Sequence, residues 1–327
     1  MRILVFGATG VVGRRAVPFM VAAGHDVTAV GRNPARRAEL ERAGAAVTDV
    51  DIFDRGAVTH AVQGQEVVVN LTTHMPSSTF RMMLPGAFRE NDRIRREGSA
   101  IIAAAASAAG VGRFIQESFA PVYADGGDRW LDENAVQRPV RYNRTVLDAE
   151  HSAERFGERR GEWVVLRFAW FYGPDSFLPE MAKVVRNGWA PIPGAADAYW
   201  SSVSHDDAAS AVVATLTAPP GAYNVCDDEP LTRREVVDAI ADAFELPRVK
   251  LMPSWATLFM GSLGDLMARS ERMSNRKLRG IGWAPRYPSA REGFRAAARE
   301  IGGSPSDGSR RRVSSSAPPS SRTLDQR

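Results

Sequence analysis

The chain is short of several features that would direct a reading. One cysteine, Cys226, stands among 327 residues, so no intrachain disulfide forms and a reducing compartment costs the fold nothing. No run of roughly 18 or more apolar residues is present, and the apolar run after Arg2 ends at Gly7, too short for a signal-peptide core. A cytoplasmic protein with no membrane partner is expected. The histidines His25, His60, His74, His151 and His205 match no metal-ligand spacing, and a lone cysteine does not complete one. No metal site is predicted. Formal charge is +4, but Ser304 to Arg327 holds five arginines and two aspartates, which leaves 37 basic and 36 acidic residues elsewhere. A nearly neutral body lacks the basic face that nucleic acid needs. No internal repeat is evident.

What is present is an alternation of elements. Short apolar runs at Ile3 to Phe6, Val27 to Val30, Glu66 to Leu71, Arg113 to Gln116 and Trp163 to Phe168 read as strands, separated by amphipathic or alanine-rich helices. Parallel strands covered on both faces read as continuous Val, Ile and Leu runs, and such alternation implies right-handed crossovers. The expected class is α/β, a doubly wound parallel Rossmann-type sheet with a smaller α/β substrate domain. Residues 1–172 form the first domain in this reading. After Gly173-Pro174 the pattern breaks up, with Pro179, Pro191, Pro193 and Gly194 between short segments. Residues 173–301 form the smaller domain, with part of 201–230 packing back onto the first. Asp206-Asp207 and Thr232 are expected to cap the helices that follow them. From residue 302 onward the Ser, Pro, Gly and Arg composition predicts a disordered tail.

Gly7-Ala8-Thr9-Gly10-Val11-Val12-Gly13 follows the first strand directly and opens a helix. In that context glycines carry meaning: Gly7 makes a tight turn, Gly10 lets backbone approach a pyrophosphate, and Gly13 lets helix pack close to strand. The helix N-terminus adds N–H groups and positive dipole. A dinucleotide site follows. At the end of the second strand, where an NAD site places a carboxylate against the ribose hydroxyls, Gly31-Arg32-Asn33 stands instead. Arg32, with Arg36, pairs with a 2′-phosphate, which favours NADP(H) over NAD(H), or else Arg32 is a solvated loop residue. Asp51-Ile52, after the third strand, lies near the adenine, or Asp51 caps a turn.

Together these features resemble the extended short-chain dehydrogenase/reductase family, the NAD-dependent epimerase/dehydratase group. Asp51-Ile52, Leu166-Arg167-Phe168 through Tyr172-Gly173-Pro174, and Tyr223-Asn224-Val225 followed by Asp228-Glu229-Pro230-Leu231-Thr232 are similar to further motifs of that family. The resemblance implies a cofactor site of Gly7, Thr9, Gly10, Val11, Val12, Gly13, Arg32, Asp51, Ile52, Leu71, Thr72, Thr73 and Phe168. It also implies a Tyr and a Lys four residues apart on one helix face, a polarising Ser, and a helix Asn. Tyr142 takes the catalytic place, but Val146 stands at the Lys, Phe119 at the Ser with Ser118 one residue earlier, and Arg95 at the Asn. The catalytic set is thus degenerate, with Tyr142 either an acid or a half-buried aromatic, and Ser118 as its helper. Members of the family often dimerise through helices that here are Phe88 to Ala109 and Tyr142 to Phe156, so a homodimer is expected.

His74, Phe119, Trp170, Trp189 and Trp200 are further candidates for the substrate pocket, with Met82, Met83, Phe88, Phe171 and Tyr199 as neighbouring apolar bulk. An unperturbed tyrosine with a pKa near 10 is a poor base at neutral pH, yet it protonates a developing alkoxide. The expected function is NADPH-dependent reduction of a carbonyl on a small apolar or aromatic molecule. The alternatives are a non-redox NADP(H)-binding sensor or regulatory protein, and an NAD-dependent epimerase or dehydratase.

Overall fold

The computed structural model describes residues 1–76, 82, 84, 86–159, 161–252, 257 and 260–303. Seven strands form the central sheet: β1 (Arg2–Phe6), β2 (Asp26–Val30), β3 (Ala46–Thr48), β4 (Val67–Asn70), β5 (Arg113–Phe119), β6 (Glu162–Phe168) and β7 (Gly221–Val225). Their order is β3-β2-β1-β4-β5-β6-β7, and every neighbouring pair is parallel. The sequence says why: Val67-Val68-Val69-Asn70 is buried throughout, and so are Ile3 to Phe6 of β1. Side chains of a strand alternate between faces. Ile3 and Val5 therefore pack with helix α1 (Gly13–Ala22) and with helix His205–Ala214, whereas Leu4 and Phe6 pack with α3 (Arg55–Val62) and α5 (Ser99–Ala108).

Between these lie α2 (Pro34–Arg42), capped by Asn33, α4 (Arg89–Arg93), and α6 (Val146–Gly157). The chain builds outward from β1 to β3, then returns to place β4 on the other side of β1. The crevice outside the carboxyl ends of β1 and β4 is the place where sheets of this kind bind ligands.

Strand β7 and helix His205–Ala214 come from beyond Gly173 yet complete the first sheet and cover its face. Met273, Leu278 and Trp283 also join the core of the first sheet, while Leu178, Val185, Ile192, Trp200, Val236, Ile240 and Phe294 close a separate core. Thr232 caps its helix through a capping box with Glu235, as expected. The other cap is Ser204 and not Asp206 or Asp207: its hydroxyl accepts the Asp207 N–H at 2.9 Å, which leaves both aspartates inside the first turn. The final helix, Ala290–Gly303, takes in residues 302 and 303, which the composition had assigned to the tail; residues 304–327 lie outside the described residues. No helix among the described residues is long and apolar enough to cross a membrane.

One buried ion pair ties α6 to β6. Arg167 Nε and Nη2 donate to Glu150 Oε1 and Oε2 at 2.9 and 2.7 Å, with the side chains only 4% and 3% exposed. Ser118 Oγ donates to Glu150 Oε1 at 2.5 Å, and Arg167 Nη1 donates to the Tyr123 hydroxyl at 2.9 Å and the Glu133 carbonyl at 3.0 Å. Burial alone would push the guanidinium down. The hydrogen bonds and charge of Glu150, with Tyr123, outweigh that and hold Arg167 above the ordinary arginine value. Arg167→Met would strand a buried carboxylate and is expected to cost about 3–5 kcal/mol of stability. Combining it with Glu150→Leu removes the stranded charge and should recover part of that loss. Urea unfolding of the three proteins measures both; a double variant no more stable than Arg167→Met would contradict the assignment.

Candidate active site

At the crevice between β1 and β4 the glycine loop lies against the end of β4. Gly7 has φ 74°, and a Cβ there would sit 2.6 Å from the carbonyl carbon and oxygen of Leu71, so only glycine permits the approach. A Cβ on Gly13 would strike the Gly7 carbonyl. Gly10 N–H closes the loop onto Gly7 O at 3.0 Å, whereas the N–H groups of Val11 and Val12 find no acceptor among the described residues. Val11 and Val12 line the cavity that opens here. Free N–H groups at the head of α1 suit an anionic group such as a pyrophosphate. On the β2 side, Arg36 Nη1 donates to the Thr9 carbonyl at 2.7 Å, fixing a guanidinium against the loop, while Arg32 is exposed at the strand end. Asp51 accepts the Phe53 N–H at 3.0 Å in a turn of its own, and Ile52 is buried toward Gly98.

The cavity, counted with the solvent space at its open mouth, spans about 730 Å³. Beyond the loop it is bounded by Leu71, Thr73, Met75, Phe88, Phe119, Phe168 and Phe171, with Asn91, Arg95, Glu117 and Tyr142 as its polar members. Tyr142 does not lie on the helix that the resemblance implies. Asn143 is fully buried, donates its amide to the Pro121 carbonyl and accepts the Val140 N–H at 3.0 Å, which locks residues 141–145 as turns and delays α6 until Val146. Tyr142 therefore projects from the turn, its ring edge-on to Phe88 at 4.3 Å, and shares no i, i+4 face with Val146, which is in the core. Burial pushes the Tyr142 hydroxyl above the ordinary tyrosine value, with the Arg95 charge pulling partly the other way. The cation facing Tyr142 is thus Arg95.

Ser118 is placed elsewhere. Along β5, Glu117 and Phe119 line the cavity while Ser118 points to the opposite face, 1% exposed and bonded to Glu150. The sequence motif runs through all three residues, but strand alternation separates them. Arg95 and Asn91, four residues apart, both line the cavity. Arg95 lies in a π-helical turn, Ile94–Gly98, that joins α4 to α5; such insertions re-aim side chains and are frequent at functional sites. Its Nη2 donates to Glu117 Oε1 at 2.8 Å, with side chains 7% and 11% exposed. Glu117 and Asn91 were missed in the sequence, although a charged residue within a buried strand run was itself a signal.

Of the other pocket candidates, Phe119 lines the cavity, backed by Trp170 at 5.0 Å, which stacks on Trp200 at 4.2 Å. The two tryptophans are thus a second layer. Trp189 is 66% exposed and outside the cavity. His74 is exposed, its N–H donating to Asn91 Oδ1 at 2.9 Å, while its neighbours Thr73 and Met75 form the wall. Met83 lies outside the described residues. His205 belongs to a separate concavity, where burial and the nearby Arg15 push it down to about 3.

Comparison with known proteins agrees with this geometry. A family model described as NAD(P)H-binding matches residues 7–219. A Streptomyces protein named 3-diazoavenalumate denitrifying reductase is 33% identical over 311 residues, covering 90% of this chain and 99% of that protein. A 2-alkyl-3-oxoalkanoate reductase from Stenotrophomonas maltophilia is 26% identical, covering 79% and 80%. Among solved structures, a human epimerase family protein with NADPH aligns with a TM-score of 0.75 at 19% identity, covering 92% of this chain and 99% of that one. The chain belongs to the family described as NAD(P)H-binding and is an NAD(P)-dependent oxidoreductase.

Proposed function

We propose that the protein is an NADPH-dependent reductase acting on a carbonyl of a small apolar or aromatic molecule. One observation carries this reading: the cavity at the glycine loop is walled by Phe88, Phe119, Phe168 and Phe171 and presents Tyr142 among them. Aromatic walls suit a flat, apolar substrate and offer little to a sugar nucleotide.

The residues fit the cofactor. The Gly7 to Gly13 backbone would hold the pyrophosphate, Thr9 and Arg36 with Arg32 would serve the 2′-phosphate, Asp51 and Ile52 the adenine, and Leu71, Thr72, Thr73 and Phe168 the nicotinamide. When bound, NADPH supplies the hydride. Tyr142 supplies the proton: its raised pKa keeps the hydroxyl protonated, so it donates to an oxygen that gains charge and does not serve as a base. Val146 and Ser118 take no part, since one is in the core and the other is bound to Glu150. Guanidinium groups beside the loop disfavour the NAD-dependent epimerase alternative, and the names of the two relatives support reduction over a sensor role. The reading includes a homodimer through α5 and α6, checked by light scattering.

A second reading has an observation of its own. A tyrosine with neither Lys nor Ser to assist it suits an acceptor that needs no proton on oxygen, such as the diazo group in the Streptomyces relative's name.

Tyr142→Phe should lower the carbonyl reduction rate about a hundredfold or more while leaving NADPH affinity unchanged, as stopped-flow and fluorescence titration would show. If an arenediazonium is still reduced at full rate by that variant, the second reading replaces the first. Because the Tyr142 pKa is raised, the wild-type rate should not fall as pH climbs through about 10, the ordinary tyrosine value. Arg36→Ser should weaken NADPH about tenfold and leave NADH unaffected; equal weakening of both cofactors would place Arg36 outside the 2′-phosphate site.

A further inference from the structure

Two buried arginine–glutamate pairs in this protein are built differently. Arg167 makes four hydrogen bonds, with Glu150 gripping it through two oxygens while Tyr123 and the Glu133 carbonyl take further N–H groups. Among the described residues Arg95 makes a single hydrogen bond, Nη2 to Glu117 Oε1. Its Nε is buried without a partner among them, and so is Glu117 Oε2. A guanidinium carries five N–H donors, so Arg95 retains most of its capacity, and it does so in the wall of the cavity that holds the glycine loop and Tyr142.

Besides Glu117 and Thr73, two further polar groups of that wall are donors. The Tyr142 hydroxyl has no hydrogen bond to a described residue, and Asn91 has Oδ1 occupied by the His74 N–H, which leaves its amide nitrogen to give. Three donor side chains converge on a cavity that also holds the Glu117 carboxylate and Thr73 and is otherwise bounded by the glycine loop and apolar side chains. Burying the donors is costly unless a ligand brings the acceptor. Glu117 stands on a sheet strand and Arg95 on a π-turn wedged against it, so the guanidinium is pre-positioned and pays little ordering entropy on binding.

We propose that Arg95, held in place by Glu117, is the oxyanion-binding group of this cavity, taking a substrate oxygen that carries negative charge or gains it during reduction. The proposal rests on the reductase reading above and narrows its substrate class to small aromatic or conjugated molecules with such an oxygen. Arg95 supplies from a different element the positive charge that Val146 lacks, and Glu117 is its positioning residue.

The test is calorimetric titration of the full chain with benzoate and with benzamide, a charged and a neutral ligand of nearly one shape, with and without saturating NADP⁺. Wild type should bind benzoate at least about tenfold more tightly than benzamide. Arg95→Met should abolish that preference, and Arg95→Lys should keep part of it. Glu117→Gln retains an acceptor oxygen for Arg95 but removes the opposing charge, so it should widen the preference. A merely structural pair would move both ends the same way. The proposal is overturned if wild type binds no benzoate, if it binds the two ligands equally, or if the preference survives Arg95→Met. Should Arg95→Met fail to fold, an unchanged or narrowed preference in Glu117→Gln overturns it as well. NADP⁺ binding is read separately: its absence, with benzoate obeying these signs, would remove the cofactor reading and leave the oxyanion site standing.

Discussion

The Glu150–Arg167 pair decides which face of β5 meets the cofactor crevice. Glu150 reaches from α6 and draws the Ser118 hydroxyl to its own side of the sheet, with Arg167 of β6 completing the grip. Strand alternation then gives Glu117 and Phe119 no choice but the cavity side. A slip of one residue in β5 would exchange them for Ser118, and would leave Glu150 short of one hydrogen bond and Glu117 short of its arginine. The pair therefore acts as a register lock whose consequence is chemical: it commits the cavity to an acid and an aromatic where a hydroxyl was expected. Buried ion pairs are weak sources of net stability but are well suited to specifying one arrangement over another.

A second constraint works from the opposite wall. Gly7 and Gly13 allow β1, α1 and the end of β4 to approach within contact distance, and this closeness leaves the Val11 and Val12 N–H groups at the mouth of the crevice and nowhere else. The order of strands sets the location and the glycines set the depth. Between the loop and β5 the space is filled from the side by the α4, π-turn and α5 segment, which delivers Asn91 and Arg95, and by the 141–145 turn, which delivers Tyr142. Each wall is supported by buried bonds behind it: Asn143 to Pro121, Thr145 to Asp92 at 2.8 Å, and Asn70 to Ser99 and Gln116 at 3.3 and 2.9 Å.

Much of this was legible in the chain, and the division between legible and hidden follows range. Five of the seven strands of the sheet, the glycine loop and the Thr232 cap are local patterns of a few residues, and each formed where its pattern stood, whereas β3 and β7 carry no comparable apolar run. The helix at Tyr142 was misjudged because a local competitor intervened: Asn143 satisfies nearby backbone groups with its side chain, and that outweighs the helical periodicity continuing into Val146. The parity of Ser118 was hidden because a motif shows which residues are present and not which side of the sheet they face. The Arg95–Glu117 pair joins residues 22 apart in sequence through two elements, and neither residue alone announces a partner. The aromatic candidates divided by layer for the same reason, with Phe119 at the surface of the cavity and Trp170 and Trp200 behind it.

These placements bear on the direction of the chemistry. A tyrosine whose pKa is lowered by a neighbouring Lys can work either way, taking a proton from an alcohol or giving one to an alkoxide. Tyr142 has lost that partner, sits half-buried against Phe88, and has its pKa raised. Holding on to its proton disqualifies it as the base of an oxidation, while as a donor it is always loaded. Arg95 moderates this without reversing it, because much of its charge is offset by Glu117 at 2.8 Å. A cation that fully acidified Tyr142 would deplete the donor near neutral pH; a cation tied to a carboxylate stabilises negative charge arriving on a substrate oxygen while leaving the phenol protonated. In the proposed reading, a tyrosine that keeps its proton, with an Arg–Glu pair beside it where the family pattern has Lys and Ser, suits the proton delivery that reduction needs.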